Sequence, residues 1–309
     1  MENGVLDTPI LLILFNRPDH TKEVIRTIRQ VRPKRVYLAA DGPRPGKPED
    51  IEKCEATRAV ALESIDWECE VKTRFQGQNL GCGQNPSQAI SWMLEEEPYG
   101  IILEDDCIPN ESFFWFCQHF LKKFEFDERV WMVSGTNMNK QWKPEQWDYF
   151  FSQIGSTWGW ATWSRAWKNY DYHMAGWANP QVQELMKNML EPLVYKVISM
   201  EYQYTYEGYY KGSVWDFQWN FTRMMNSGLT VMPAYNLVSN VGFGEEATHT
   251  KGEGKIARIP RKELSFPLRE NPIFIPDFEF DRVISFADDQ RLWNRATRKI
   301  NTLVQKVFN

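Results

Sequence analysis

Three consecutive carboxylates, Glu104, Asp105 and Asp106, directly follow the apolar run at residues 100–103. Like charges this close repel, and each raises the pKa of the others unless a cation lies beside them. Carboxylate oxygens suit Mg²⁺ or Mn²⁺, ions that commonly keep water and substrate phosphates as their remaining ligands. The triplet therefore predicts a site for a divalent metal and a diphosphate, with a solvated acidic turn as the alternative.

A carboxylate in an apolar setting is the second candidate for chemistry. Asp216 lies between Trp215 and Phe217, and such neighbours withdraw water, which raises the pKa of a carboxyl group and makes it a better base. Asp216 is therefore the candidate general base that takes a proton from an attacking hydroxyl. A helix-capping role fits the same position, and Glu201 and Glu207 are the nearest rivals.

The segments around the triplet alternate between strand and helix patterns. Apolar strand patterns and intervening helical patterns predict an α/β fold with a mostly parallel central sheet and helices on both faces. Ligands of such sheets bind beyond the carboxyl ends of the strands. We therefore expect the polar residues at those ends to converge on one edge, namely Asn16, Arg17, Asp41, Arg74 and the triplet.

The overall composition narrows the class of protein. The chain has 309 residues, a net charge of −5 and 15% aromatic residues. An acidic balance argues against a nucleic-acid binder. Five cysteines without metal-type spacing fit reduced thiols in a cytosol. The apolar run at 9–15 is too short to span a bilayer, so the expectation is a cytoplasmic protein.

Five segments carry a resemblance to a known family. The acidic stretch ILEDDCIPNESFFWF resembles the DXD-type motif of the protein N-acetylglucosaminyltransferase I family, which are glycosyltransferases of the GT-A fold. NLGCGQNPSQAISWML, GSTWGWATWSRAW, VWDFQW and NVGFGEEATHT resemble further segments of that family in the same order. Bacterial sugar-polymer transferases contain a similar series of segments. The likeness covers about residues 8–250.

This resemblance implies an inverting, metal-dependent glycosyltransferase. The donor would be a nucleotide-diphosphate sugar, UDP-linked, with UDP-GlcNAc as one candidate, and the acceptor a hydroxyl of a glycan or of a lipid-linked sugar. Asp106 would bind Mn²⁺ or Mg²⁺, Asp105 the ribose or a metal-bound water, and Glu104 the donor sugar. The remaining donor-binding candidates are Asp41 facing the base, Asn16 and Arg17 near the phosphate or base, and Arg74 near a phosphate.

The domain organisation follows from the same resemblance. No low-complexity linker divides the chain. We therefore expect one GT-A-like domain at 1–290, with a nucleotide-sugar half at 1–130 and an acceptor half at 131–290. The segment 291–309 has five basic residues and no acidic one. It is open to two interpretations, a helix docked on the domain or a contact with an anionic membrane surface.

Aromatic residues and a glycine-rich loop complete the candidate site. Sugars stack on aromatic rings, so Trp158 and Trp160 are candidates for an acceptor-binding wall, while a core stripe is the competing interpretation. The loop 242–254 is a candidate lid over the donor. Its His249 is a candidate metal or diphosphate ligand, and an ordinary loop residue is the alternative.

Two other functions compete with glycosyl transfer. A sugar-phosphate nucleotidyltransferase of the same sheet type usually has a glycine-rich basic loop after its first strand, whereas the segment at 15–20 has neither glycine nor lysine. A non-catalytic sugar-binding protein would not need the triplet or Asp216. Each alternative predicts a response to nucleotides and metal that differs from the response of a glycosyltransferase.

Overall fold

The computed structural model describes residues 5–242 and 259–286. Its strands are β1 Ile10–Leu14, β2 Arg35–Ala40, β3 Glu70–Phe75, β4 Tyr99–Glu104, β5 Cys107–Pro109, β6 Val130–Ser134, β7 Tyr149–Ser152, β8 Trp160–Trp163, β9 Leu229–Pro233 and β10 Val238–Asn240. Its α-helices are α1 Pro18–Val31, α2 Glu49–Glu63, α3 Gly81–Glu96, α4 Glu111–Lys123, α5 Ser164–Trp167, α6 Pro180–Met189, α7 Pro192–Tyr206 and α8 Asp216–Met225.

Eight strands form the central sheet in the order β3-β2-β1-β4-β8-β6-β9-β7. The first four run parallel, and β6 pairs with β9 in parallel as well, so four of the seven pairings are parallel. β8 runs antiparallel between β4 and β6, and β7 is antiparallel to β9. The structure therefore confirms the predicted α/β class with a mostly parallel central sheet.

Both faces of the sheet are covered by helices. Leu12 and Leu14 of β1 belong to a core shared with α1 and α4, whereas Leu11 and Ile13 belong to a core shared with α3 and α8. Successive side chains of a strand point to opposite faces. Because both faces are buried, β1 reads as a continuous apolar run. This confirms the prediction of helices on both faces.

A second, two-stranded sheet lies beside the end of β4. β5 pairs with β10 in antiparallel register, and Asn240 lies opposite Cys107. This pairing joins the acidic turn to a segment more than 130 residues further along the chain. It fixes the backbone immediately after the triplet.

Whether a helix can cross a bilayer depends on its length and its apolar character. Within 5–242 and 259–286, no helix combines the length and the apolar character needed to cross a bilayer. The basic segment 291–309 lies outside the described residues.

Candidate active site

The acidic triplet lies at the carboxyl end of β4, where the sheet was expected to place a site. β4 ends at Glu104, and Asp105 and Asp106 form the turn that leads into β5. Arg17, which directly precedes α1, donates from Nη1 to Asp105 Oδ1 at 3.1 Å and to Asp106 Oδ2 at 2.9 Å. The structure thus places a predicted donor-binding residue against the triplet.

Burial and mutual repulsion shape the ionisation of the triplet. Burial, followed by the charges of Asp106, Asp105 and Asp216, raises the pKa of Glu104 to about 8, against the opposing effect of Arg17. Burial also raises the pKa of Asp105 to about 6, although Arg17 and the Phe15 backbone N–H oppose this. One guanidinium therefore does not neutralise the negative charge at this edge.

The oxygen ligands at the triplet fit a divalent cation that takes only one or a few of its ligands from the protein. Among the described residues, no group of three or more His, Cys, Asp or Glu side chains is arranged to hold a metal. Asp106 offers hard oxygen ligands in a half-buried position beside two other carboxylates, and Mg²⁺ or Mn²⁺ commonly completes its coordination with water and phosphate oxygens. The residues fit a metal that is held together with a phosphate-bearing ligand.

Asp106 is held from the far side by the β10 segment. Asn240 Nδ2 donates to Asp106 Oδ1 at 3.2 Å, and the Val241 backbone N–H donates to the Asp106 carbonyl at 2.9 Å. Gly242 approaches the same carboxylate so closely that a Cβ would overlap Oδ2. Sequence analysis missed Asn240, because no local pattern signals a contact between residues so far apart.

Asp216 is the first residue of α8 and lines a cavity of about 360 Å³. This volume is within the roughly 300–1,000 Å³ typical of small-molecule sites. Trp215 holds the N-cap position and makes no side-chain capping bond, and Asp216 is the acidic residue of the first turn. Its rival Glu201 lines the same cavity, whereas Glu207 is exposed and accepts a hydrogen bond from Gln203.

Close packing against α3 fixes the start of α8. A Cβ on Gly83 would overlap the carbonyl oxygen of Gly212 and would lie 2.8 Å from that of Val214. Only a glycine permits this approach between α3 and the segment that leads into Asp216. The same packing explains why residue 83, in the first turn of α3, is a glycine.

The two candidate wall tryptophans lie in different environments. Trp158 is half-buried and lines the cavity together with Asp216. Trp160 is fully buried and packs among Trp167, Trp215 and Trp219 at ring-centroid distances of 5.7 to 6.1 Å. The prediction of a substrate-facing ring is therefore wrong for Trp160, because alternation along β8 turns it into the core.

Asn16 and Asp41 follow the ends of β1 and β2, at the same edge of the sheet as the triplet, and both are held by hydrogen bonds. Asn16 donates to Asp50 Oδ1 at 2.8 Å. The two oxygens of Asp41 accept from the backbone N–H groups of Gly42, Leu80 and Gly81 and from the side chain of Asn79. Their roles beside a phosphate or a base stay predictions.

Arg74, near the carboxyl end of β3, donates to Gln88 of α3 at 3.2 Å. Its role beside a phosphate stays a prediction. His249 and most of the loop 242–254 lie outside the described residues.

Comparison with known proteins returned only structural matches. No protein-family model and no curated protein matches the chain. Among solved structures, glucosyl-3-phosphoglycerate synthase from Mycobacterium tuberculosis, in complex with Mn²⁺, UDP and phosphoglyceric acid, is 14% identical with a TM-score of 0.32. The match covers 52% of this chain and 57% of that protein, which is less than two thirds of its length.

Two further solved structures match at similar levels. HddC from Yersinia pseudotuberculosis is 9% identical with a TM-score of 0.33, over 53% of this chain and 80% of that one. Mouse xyloside xylosyltransferase 1 in its apo form is 12% identical with a TM-score of 0.32, over 66% of this chain and 83% of that one. The function is therefore inferred from this chain's own residues.

Proposed function

We propose that this chain is a GT-A-like glycosyltransferase that moves a sugar from a nucleotide-diphosphate donor to an acceptor hydroxyl with inversion. The observation that carries the proposal is the position of Asp216. Its charge raises the pKa of Glu104 at the end of β4, and its side chain lines the cavity that Trp158 also lines. A candidate base thus lies between a predicted diphosphate site and a predicted acceptor wall.

The register of the sheet supports placing Trp158 close to the acidic triplet. Ile102 of β4 pairs with Trp160 of β8 in antiparallel direction. Trp158 comes two residues before Trp160, so the same register, extended, sets it opposite Glu104, the last residue of β4. This supports the proposal that the donor binds at this edge and the acceptor in the neighbouring cavity.

The triplet would bind the donor. Asp106 would hold Mn²⁺ or Mg²⁺, and such a cation stabilises the negative charge of a leaving diphosphate. Asp105, oriented by Arg17 and the Phe15 N–H, would contact the ribose or a metal-bound water. Glu104 would contact the donor sugar, where a protonated carboxyl group can donate a hydrogen bond as well as accept one.

Asp216 would act as the general base. Inversion needs one group that removes the proton from the acceptor hydroxyl as that oxygen attacks the anomeric carbon. A carboxylate at the first position of a helix is stabilised by the positive end of the helix dipole. Trp158 would stack against the acceptor sugar, a glycan or a lipid-linked sugar.

A thermal-shift screen tests the donor half of the proposal. We expect one nucleoside diphosphate among UDP, GDP and dTDP, with CMP as a comparison, to raise the melting temperature only when Mn²⁺ is present, because a ligand that binds the native state stabilises it. Asp106→Ala should abolish this effect. Asp66→Ala, which alters a surface carboxylate paired with Arg29, is the matched control and should keep it.

The screen also separates the competing functions. When UTP, GTP and dTTP are added to the screen, a sugar-phosphate nucleotidyltransferase should respond to one of them more strongly than to any diphosphate. A sugar-binding protein without catalysis should respond to no nucleotide. Either pattern would overturn the transferase proposal.

A further inference from the structure

One face of α8 presents three kinds of polar group to the cavity. Asp216, Trp219, Asn220 and Arg223 all line it, and their spacings of three, four and seven residues place them on one side of a helix. From the N-terminal to the C-terminal end, the stripe offers a carboxylate, an indole N–H with an amide, and a guanidinium. Such a stripe can orient an elongated ligand in one direction.

Arg223 is a buried cation that lacks a carboxylate partner. It is 1% exposed, and its Nη atoms donate only to neutral acceptors, namely Gly228 O, Thr230 Oγ1 and Gln153 O, at 2.7 to 3.3 Å. No ion pair with Arg223 is formed within the part of the chain that the structure describes. Burial lowers its pKa to about 10, although Tyr202 and Asp281 oppose this.

The carboxylate whose charge acts on Arg223 is Asp281, and it is hydrogen-bonded elsewhere. Asp281 accepts from the Ser152 hydroxyl and from the Gln153 backbone N–H. Asp281 forms no ion pair with Arg223 within the described residues. A buried cation in this situation is costly unless an anion reaches it.

Two buried donors on the stripe lack an acceptor among the described residues. They are Nε of Arg223 and Nε1 of Trp219, and both residues are 1% exposed. Leaving a buried donor without a partner is unfavourable. Both side chains line the cavity, so a ligand in the cavity is the available source of acceptor atoms.

We propose that the cavity binds an anionic group, a carboxylate or a phosphate, at the Arg223 and Trp219 end of the stripe, and therefore that the acceptor is an acidic sugar. This inference rests on the proposed function for its identification of the ligand as the acceptor. Asp216 and Arg223 are separated by seven residues, which is roughly 10 Å along a helix. The acidic group therefore lies about that far from the hydroxyl under attack.

The overall charge of the chain opposes the binding of an anion in this cavity. The chain carries a net charge of −5, and Glu201 and Asp216 line the same cavity. The general field of the protein and these carboxylates disfavour an anion. A preference for acidic over neutral sugars would therefore come from the local donors.

Ligand-observed saturation-transfer NMR on the wild-type chain tests this without nucleotide. The probes are methyl β-D-glucopyranoside, its 6-phosphate, and methyl β-D-glucuronide, which differ only at the C6 position. We expect at least one acidic probe to bind about tenfold more tightly than the neutral one. The tighter of the two acidic probes identifies the phosphate or the carboxylate as the source of the charge. Equal or weaker binding of both acidic probes would overturn the inference.

Two variants locate the effect. Trp219→Phe keeps the ring and removes the N–H, so it should lower the affinity for the preferred acidic probe more than for the neutral one. Trp167→Phe is the matched control, because this buried indole donates to Ser91 Oγ and does not line the cavity. Full preference in Trp219→Phe would contradict the assignment of that donor.

Arg223→Met should abolish the preference for acidic probes. If this variant does not fold, the comparison of acidic and neutral probes on the wild type and on Trp219→Phe still tests the inference. The nucleotide screen is independent of these measurements. If a diphosphate stabilises the protein but acidic probes are not preferred, the transferase proposal is retained and the anion-binding inference is wrong. If acidic probes are preferred but no diphosphate stabilises the protein, the cavity binds anions but is not the acceptor site of a transferase.

Discussion

Gly242 lies directly against the carboxylate of Asp106, with no room for a side chain between them. Gly242 also donates its backbone N–H to Asn240 Oδ1 at 2.7 Å, and Asn240 in turn donates to Asp106 at 3.2 Å. The three residues form one packed unit at the end of β10. The position of the proposed metal-binding carboxylate therefore depends on the absence of a Cβ at residue 242.

Gly242→Ala is expected to impair donor binding. The added Cβ overlaps Asp106 Oδ2, so the carboxylate must shift, and a displacement of about 1 Å in a catalytic site can cost about 100-fold in rate. We expect the Mn²⁺-dependent stabilisation by nucleotide to be lost in a thermal-shift assay. Gly77→Ala is the control, since a Cβ there meets no atom within 4 Å. Undiminished stabilisation in Gly242→Ala would contradict the placement of the donor site.

Asp216→Asn should remove the base while leaving the donor site intact. Loss of a general base lowers turnover by roughly 10²–10⁴-fold, while Mn²⁺-dependent nucleotide stabilisation should persist. The measurement is release of nucleoside diphosphate from a donor sugar in the presence of an acceptor. Glu201→Gln is the matched variant, because Glu201 lines the same cavity and accepts a hydrogen bond from the Tyr210 hydroxyl. A larger loss in Glu201→Gln than in Asp216→Asn would transfer the role to Glu201.

The pH dependence of stability should reveal the buried Asp281. Burial raises its pKa from 3.8 to about 6 in the folded state, so the folded protein holds this proton more tightly than the unfolded chain. The resulting stabilisation is complete below about pH 4 and is lost as the pH rises through about 6. A shift of about two units corresponds to about 3 kcal/mol. Urea unfolding of wild type and Asp281→Asn from pH 4 to 7 should show the difference in unfolding free energy fall by about that amount.

Asp277→Asn provides a control of opposite sign. Burial alone would raise the pKa of Asp277, but hydrogen bonds from Trp142, the Phe280 N–H and Lys143 lower it below 3.8. Its stabilisation is therefore present above that value and is lost as the pH falls below about 4, so both variants are compared with wild type from about pH 2.5 to 7. A difference curve for Asp281→Asn that runs in the same direction as the one for Asp277→Asn would contradict the assigned shift.

The parts of the fold that follow from local pattern were predictable from the sequence. A buried strand such as β1 shows as a continuous apolar run, and the rule that parallel strands end at one edge placed Arg17 and the triplet together. By contrast, the antiparallel insertion of β8 between β4 and β6 has no local signature. Its residues Trp160 and Trp163 read equally well as core or as surface for a ligand.

Tertiary hydrogen bonds hold some of the predicted site residues in ways that the sequence does not signal. Asp41 follows a strand at the binding edge, which is the position of many ligand-binding residues. In the structure, the loop at 79–81 folds back and saturates its carboxylate. Arg223 was overlooked for the opposite reason, because an arginine in a helix is usually exposed, and only the packing of α8 shows that it is buried.

Replacing the two neighbouring tryptophans should separate binding from stability. Trp160 is fully buried among three other indoles, so Trp160→Ala should lower the free energy of unfolding by about 3–5 kcal/mol, as measured by urea denaturation. Trp158 is half-buried at the cavity, so Trp158→Ala should cost less stability and should raise the KM for the acceptor by about tenfold or more. The KM for the donor should change little, because the triplet is untouched. An unchanged acceptor KM in Trp158→Ala would remove this ring from the acceptor site, and with it the evidence that the cavity beside Asp216 receives the sugar.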